Sequence, residues 1–138
     1  MEKRILGNSG LRVSRLGLGT MTWGRDTDEH EAADQLKTFL DAGGNLIDTA
    51  AMYGDGDSER VIGGFIGTLA KREDLIIATK AGISVSTGER TVNNSRTNLL
   101  GDLDKSLSRL GVDYIDLWQI HTWDPMVPLE GTLSAIDQ

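Results

Sequence analysis

Four side chains able to do acid–base chemistry stand beside short apolar segments in this sequence. Asp48 lies near the end of NLIDTA, Lys80 follows LIIAT, and His121 follows DYIDLWQI. Tyr53 comes shortly after Asp48, in the glycine-containing loop AMYGDG. If the apolar segments are neighbouring parallel strands, about 4.8 Å apart, their carboxyl ends share one rim. Asp48, Lys80 and His121 then converge there and the Tyr53 loop folds over them, on the side where parallel α/β proteins place their chemistry. A phenol, with an ordinary pKa of about 10, is a poor acid at neutral pH. A nearby ammonium favours its ionised form, and a carboxylate holds that ammonium in place. An imidazole can orient a carbonyl oxygen or assist proton transfer. The set suits protonation of a carbonyl while a hydride arrives from elsewhere. No side chain delivers a hydride, so a cofactor is implied.

Each of these residues also has a plainer reading. The aspartate can be a cap, the lysine a solvated charge, the tyrosine a packing residue and the histidine a satisfied core group. Three successive strands, each ending in a different reactive side chain, favour the shared site. Trp23 and Trp123 follow the first and fourth strands, and either line a substrate pocket at the same rim or pack ordinary loops. Trp118 lies inside a strand and reads as core, and His30, among acidic residues, reads as surface.

The elements that must position the rim are legible in the patterning. Residues 4–13 read as a small hairpin turning at Asn8-Ser9-Gly10. Residues 16–20, LGLGT, form a first strand whose glycines fit the close approach of another backbone or a ligand. Asp28 and Glu31 give a capping-box start to a helix with Ala32, Ala33, Leu36, Phe39 and Leu40 on one stripe, stopped at Gly43-Gly44. Residues 45–50 are the second strand. A second helix starts near Asp57-Ser58 with a stripe of Val61, Ile62, Phe65, Ile66 and Leu69, and its Gly63 and Gly64 would allow close packing on a sheet. Residues 75–79 are the third strand and 82–92 a polar loop. A third helix spans about 94–110 and ends at Gly111, with Arg109 suiting the helix dipole. Residues 113–120 are the fourth strand, and Leu129, Leu133 and Ile136 mark a last helix that reads as cut short. The repeated strand–helix order implies a parallel sheet. Both an open doubly wound sheet and part of a (β/α)8 barrel fit it. Gly17-Leu18-Gly19 does not extend to a phosphate-binding GxGxxG pattern, so it does not decide between them.

Composition narrows the classes. The 138 residues leave room for one domain, and 38% hydrophobic with 25% charged residues is the balance of a folded globular chain. A net charge of −7 with no basic patch disfavours nucleic-acid and anionic-membrane partners. The absence of cysteine removes disulfides, thiol catalysis and thiolate-bound zinc. Two histidines without close ligand spacing make a metal site poor, and no G-x-S-x-G elbow supports hydrolase chemistry. No apolar run is long enough to span a membrane, and MEKRILGNSG does not look like a secretory leader, so the cytoplasm is the expected location.

Three segments, in order, resemble the aldo-keto reductase superfamily: GGNLIDTAAMYGDGDSERVIGGF, LIIATKAG and SLSRLGVDYIDLWQIHTWDP. The resemblance covers essentially the whole chain, residues 1–138, as one partial domain. It implies the N-terminal half of a (β/α)8 barrel: a bottom-closing hairpin followed by about four βα units. It also implies an NADP(H)-dependent oxidoreductase that reduces an aldehyde or ketone. On this likeness Tyr53 is the general acid and Lys80 assists its proton release. Asp48 pairs with Lys80 near the nicotinamide ribose, and His121 orients the carbonyl. Thr20 and Met21 match the loop beside the nicotinamide, and Trp23 a pocket position. Some relatives act mainly as cofactor-binding partner subunits of membrane channels, so the alternatives are a regulatory subunit without significant turnover or an inactive truncated fragment. A full barrel takes about 250 residues, so the expectation is a truncated or partial form of a longer reductase. Four strands leave two open edges, through which copies can self-associate.

Overall fold

The computed structural model describes residues 1–137. It opens with an antiparallel hairpin, β1 (Lys3–Ile5) and β2 (Arg12–Ser14), paired from Lys3↔Ser14 to Ile5↔Arg12. The reverse turn between them includes Asn8-Ser9-Gly10, with the Ser9 hydroxyl donating to the Leu6 carbonyl. The hairpin is tied to the amino end of the second βα unit by Asn45. Its side-chain oxygen accepts from the Ser14 N–H at 2.7 Å and its amide donates to the Arg12 carbonyl at 2.9 Å.

Four parallel strands follow in the order of the chain: β3 (Gly17–Gly19), β4 (Leu46–Asp48), β5 (Ile76–Ala81) and β8 (Leu117–Ile120). Helices α1 (Glu29–Asp41), α2 (Asp57–Phe65), α3 (Arg96–Leu110) and α4 (Leu129–Ile136) come after them in turn. Among the described residues no helix is long and apolar enough to cross a membrane. Asp28 caps α1 as its spacing implies, its carboxylate accepting from the Glu31 N–H at 2.9 Å. Gly111 ends α3 in the left-handed conformation, φ 65°.

Strand alternation sorts the side chains between two faces. Ile47 and Ile77 point toward the helices and are almost fully buried with Trp23, Leu36, Ile62, Phe65, Leu75 and Leu110. Trp118 and Ile120 pack against a second cluster of Ala81, Leu99 and Ala135. The intervening residues Leu46, Asp48, Ile76, Lys80, Leu117 and Gln119 lie on the opposite face and are only partly buried.

The structure departs from the sequence reading in several places. Helix α2 stops at Phe65 because Ile66 is extended and Gly67 is left-handed, φ 85°; Leu69 is exposed beyond it. Gly63 packs against α3 rather than the sheet: a Cβ there would meet the Arg109 carbonyl oxygen at 2.6 Å. Within the expected loop 82–92, β6 (Ile83–Ser84) and β7 (Thr91–Val92) form a short antiparallel pair. The fourth strand begins at Leu117, not at 113, and the Asp116 carboxylate takes the Ile77 N–H at 2.8 Å just ahead of it.

Candidate active site

The ladder of the sheet continues past the strand ends and fixes the rim. The N–H groups of Thr20, Thr49, Ala51 and His121 donate to the carbonyls of Asp48, Ala78, Lys80 and Ala81, each at 2.9–3.0 Å. Asp48 is the last residue of β4, Lys80 lies within β5, and His121 directly follows β8. The parallel register therefore brings all three to one side. The Lys80 ammonium donates to Asp48 Oδ2 at 2.7 Å and to the Thr49 carbonyl at 3.0 Å. Lys80's side chain is 17% exposed and Asp48's 39%, so the pair is anchored from below and open above.

Tyr53 begins a 3-10 turn, Tyr53–Gly56, that crosses from the end of β4 to α2. Lys80 Nζ lies 5.3 Å from the centre of the Tyr53 ring, within cation–π reach. The Tyr53 and His121 rings meet edge to face, with centroids 6.0 Å apart and planes at 85°. The four sequence-singled residues thus form one group. The His121 pKa is lowered, chiefly by burial of the ring, then by the Lys80 and Arg90 cations, with Asp48 opposing. Its Nδ1 is enclosed without a hydrogen-bond partner among the described residues. At neutral pH this imidazole is neutral and keeps both a donor and an acceptor.

Other expected site residues are placed differently. Thr20, expected beside a cofactor, is fully enclosed: its hydroxyl lies 3.1 Å from the Asp48 carbonyl and accepts from Ser58 at 2.8 Å. Its side chain braces the rim and offers no surface to a ligand. Trp23, expected in a substrate pocket, is 1% exposed. Its ring stands edge-on to Phe65, and its indole N–H donates to Gln35 on α1 at 2.9 Å. It belongs to the helix-side core because the loop after β3 folds outward. Met21 remains exposed next to the rim. Trp123 is 65% exposed and borders a hollow of about 300 Å³ along α4, with Leu129, Leu133 and Ile136. None of Asp48, Tyr53, Lys80 and His121 lines that hollow.

Two polar networks behind the rim escape a reading of the sequence. Ser58 joins Thr49 and Thr20, bridging β4, the loop after β3 and α2. Glu59, fully buried, accepts from the Thr79 hydroxyl at 2.7 Å and from Arg109 at 3.2 Å. Glu59 and Arg109 sit 50 positions apart, each on a helix where a charge reads as solvated. The only available signal was the place of Glu59 inside the segment that carries the family likeness.

The family model described as "Aldo/keto reductase family" matches residues 15–138. The Aldo-keto reductase YhdN of Bacillus subtilis is 37% identical over 143 residues, which cover 100% of this chain and 43% of that protein. A putative voltage-gated potassium channel subunit beta of Schizosaccharomyces pombe is 38% identical, covering 98% of this chain and 40% of its own. Among solved structures, aldo-keto reductase AKR11C1 from Bacillus halodurans, in its holo form, superposes with a TM-score of 0.89 at 37% identity, over 99% of this chain and 45% of that one. The chain thus spans between 40% and 45% of the length of these three relatives.

Proposed function

We propose, from the premise that this chain belongs to the aldo-keto reductase family, that its rim reduces an aldehyde or ketone to an alcohol with a nicotinamide cofactor, NADPH. The chain has the fold of part of that family's (β/α)8 barrel, the half that begins with the hairpin. The observation carrying this reading is the meeting of four acid–base groups on one rim: Lys80 against Asp48 at 2.7 Å, Lys80 under the Tyr53 ring, and Tyr53 edge-on to His121.

The residues on the rim fit a nicotinamide at their open side. Lys80 occupies Asp48 Oδ2, which leaves the second carboxylate oxygen for a ribose hydroxyl. The exposed side chain of Met21 adds apolar surface next to it. Reduced nicotinamide supplies the hydride when bound. The chain's own part is the proton. Tyr53 gives its phenolic proton to the carbonyl oxygen as that oxygen gains charge, and regains one from solvent afterwards. Lys80, held by Asp48 and the Thr49 carbonyl, stabilises the phenolate left behind. Neutral His121 orients the carbonyl oxygen by hydrogen bonding.

The test is to mix the purified chain with NADPH and a panel of aldehydes and ketones, following NADPH consumption and, separately, cofactor fluorescence. The expected result is saturable binding with carbonyl-dependent consumption. Binding without consumption across the panel contradicts the reductase reading. It would favour the alternative, a cofactor-binding subunit without turnover, in line with the channel-subunit name of the Schizosaccharomyces pombe relative.

A further inference from the structure

We infer that Arg109, seated by Glu59, is the positioning residue that locks the Tyr53 loop onto the strand carrying Lys80. The inference rests on Tyr53 acting as the proton donor proposed above. The loop needs such a lock. Gly54, Asp55 and Gly56 all have left-handed φ, at 59°, 52° and 93°. Asp55 is the sole non-glycine residue with positive φ among those described. Gly54 and Gly56 take that region at no steric cost, but a non-glycine residue there persists only where its surroundings over-determine it.

Arg109 reaches the loop from the last turn of α3, meeting it at two points and the following helix at a third. Its Nη1 donates to the Ala51 carbonyl, ahead of Tyr53, at 3.3 Å. Its side chain packs against Gly56, behind Tyr53, where any Cβ would overlap it. The same nitrogen donates at 3.2 Å to Glu59, in the helix the loop feeds. Glu59 then spends its other oxygen on the Thr79 hydroxyl at 2.7 Å, one residue before Lys80 on β5. One enclosed ion pair therefore joins the tyrosine's loop to the lysine's strand. Arg109 touches neither the Tyr53 ring nor the reacting atoms, so its role is alignment. One nitrogen makes both donations, so what the planar guanidinium adds over a lysine ammonium is the surface packed against Gly56. Misalignment of a reacting group by about 1 Å is enough to lower a rate by about a hundredfold.

The experiment is aromatic-selective NMR of the full 138-residue chain. The readout is the cross-peak between the Tyr53 and His121 rings. Arg109→Lys keeps a cation for Glu59 but loses the planar group packed against Gly56. The double variant Glu59→Gln, Arg109→Met leaves no bare charge buried. With far-UV circular dichroism unchanged, both variants are expected to lose the cross-peak that the wild type shows. A cross-peak of wild-type strength in either folded variant overturns the inference. Wild-type relaxation gives a check that needs no variant: residues 53–56 should be as ordered as α2, and a mobile loop beside an ordered α2 overturns the inference as well. Both readouts work without turnover, so they stand apart from the question of whether the rim reduces carbonyls.

Discussion

The two faces of the parallel sheet are built to different rules. Toward the helices, Ile47 and Ile77 are at most 1% exposed, and Thr79, the polar residue between the apolar ones, is satisfied by buried Glu59. On the other face Asp48, Lys80 and Gln119 take the alternate positions and stay partly open. A parallel sheet normally buries both faces in near-continuous apolar residues. Here β4 and β5 break that pattern only at Asp48 and Lys80 on the inner face and at Thr79 behind it. The outer face supplies the stability, and the inner face carries groups that are costly to bury and useful to expose. The difference separates residues that hold the rim from residues it leaves partly open to solvent.

The two tryptophans of the connecting loops give the largest contrast. Trp23 is enclosed in the outer core, so Trp23→Ala should cost about 3–5 kcal/mol of stability, measured by urea unfolding. Trp123, 65% exposed, is the paired control: Trp123→Ala should stay within about 0.5 kcal/mol. Equal losses would show that the outer face is not where the fold is held.

How far the sequence foretold this depends on whether the signal is local. The N-cap at Asp28, the stop at Gly111 and the turn near Asn8-Ser9-Gly10 rest on neighbouring residues, and the structure repeats them, though Glu31 does not close the reciprocal half of a capping box among the described residues. Asp48, Lys80 and His121 could be grouped because strand alternation and parallel register are regular. The direction in which a loop folds is not regular. The order of residues after β3 does not say that Trp23 turns outward onto Phe65 or that Thr20 is sealed by Ser58. The Leu69 end of the expected helix failed for a related reason: apolar spacing ran on past Gly67, whose left-handed backbone ends the helix. Glu59 and Arg109 were invisible because a charge on a helix is usually solvated, and only the tertiary fold shows that these two face each other.

A smaller effect probes the inner face through pH. The pKa of His121 is lowered in the fold, first by burial and then by Lys80 and Arg90. The folded state therefore binds fewer protons than the unfolded chain in the window between the lowered value and about 6.5. Stability from this group is complete above that window and declines as pH falls through it. Urea midpoints at about pH 7.5 and about pH 5.5 should differ less in His121→Asn than in the wild type. An unchanged difference would show that the fold does not lower the pKa of His121.

The most direct measurement compares turnover and unfolding in Tyr53→Phe. The phenolic oxygen is the only atom removed, so the account expects carbonyl-dependent NADPH consumption to fall by about 10²–10⁴-fold, with the urea midpoint unchanged. Turnover retained within a few-fold would contradict the assignment of the proton to Tyr53, and with it the claim that the inner rim is where this chain does its chemistry.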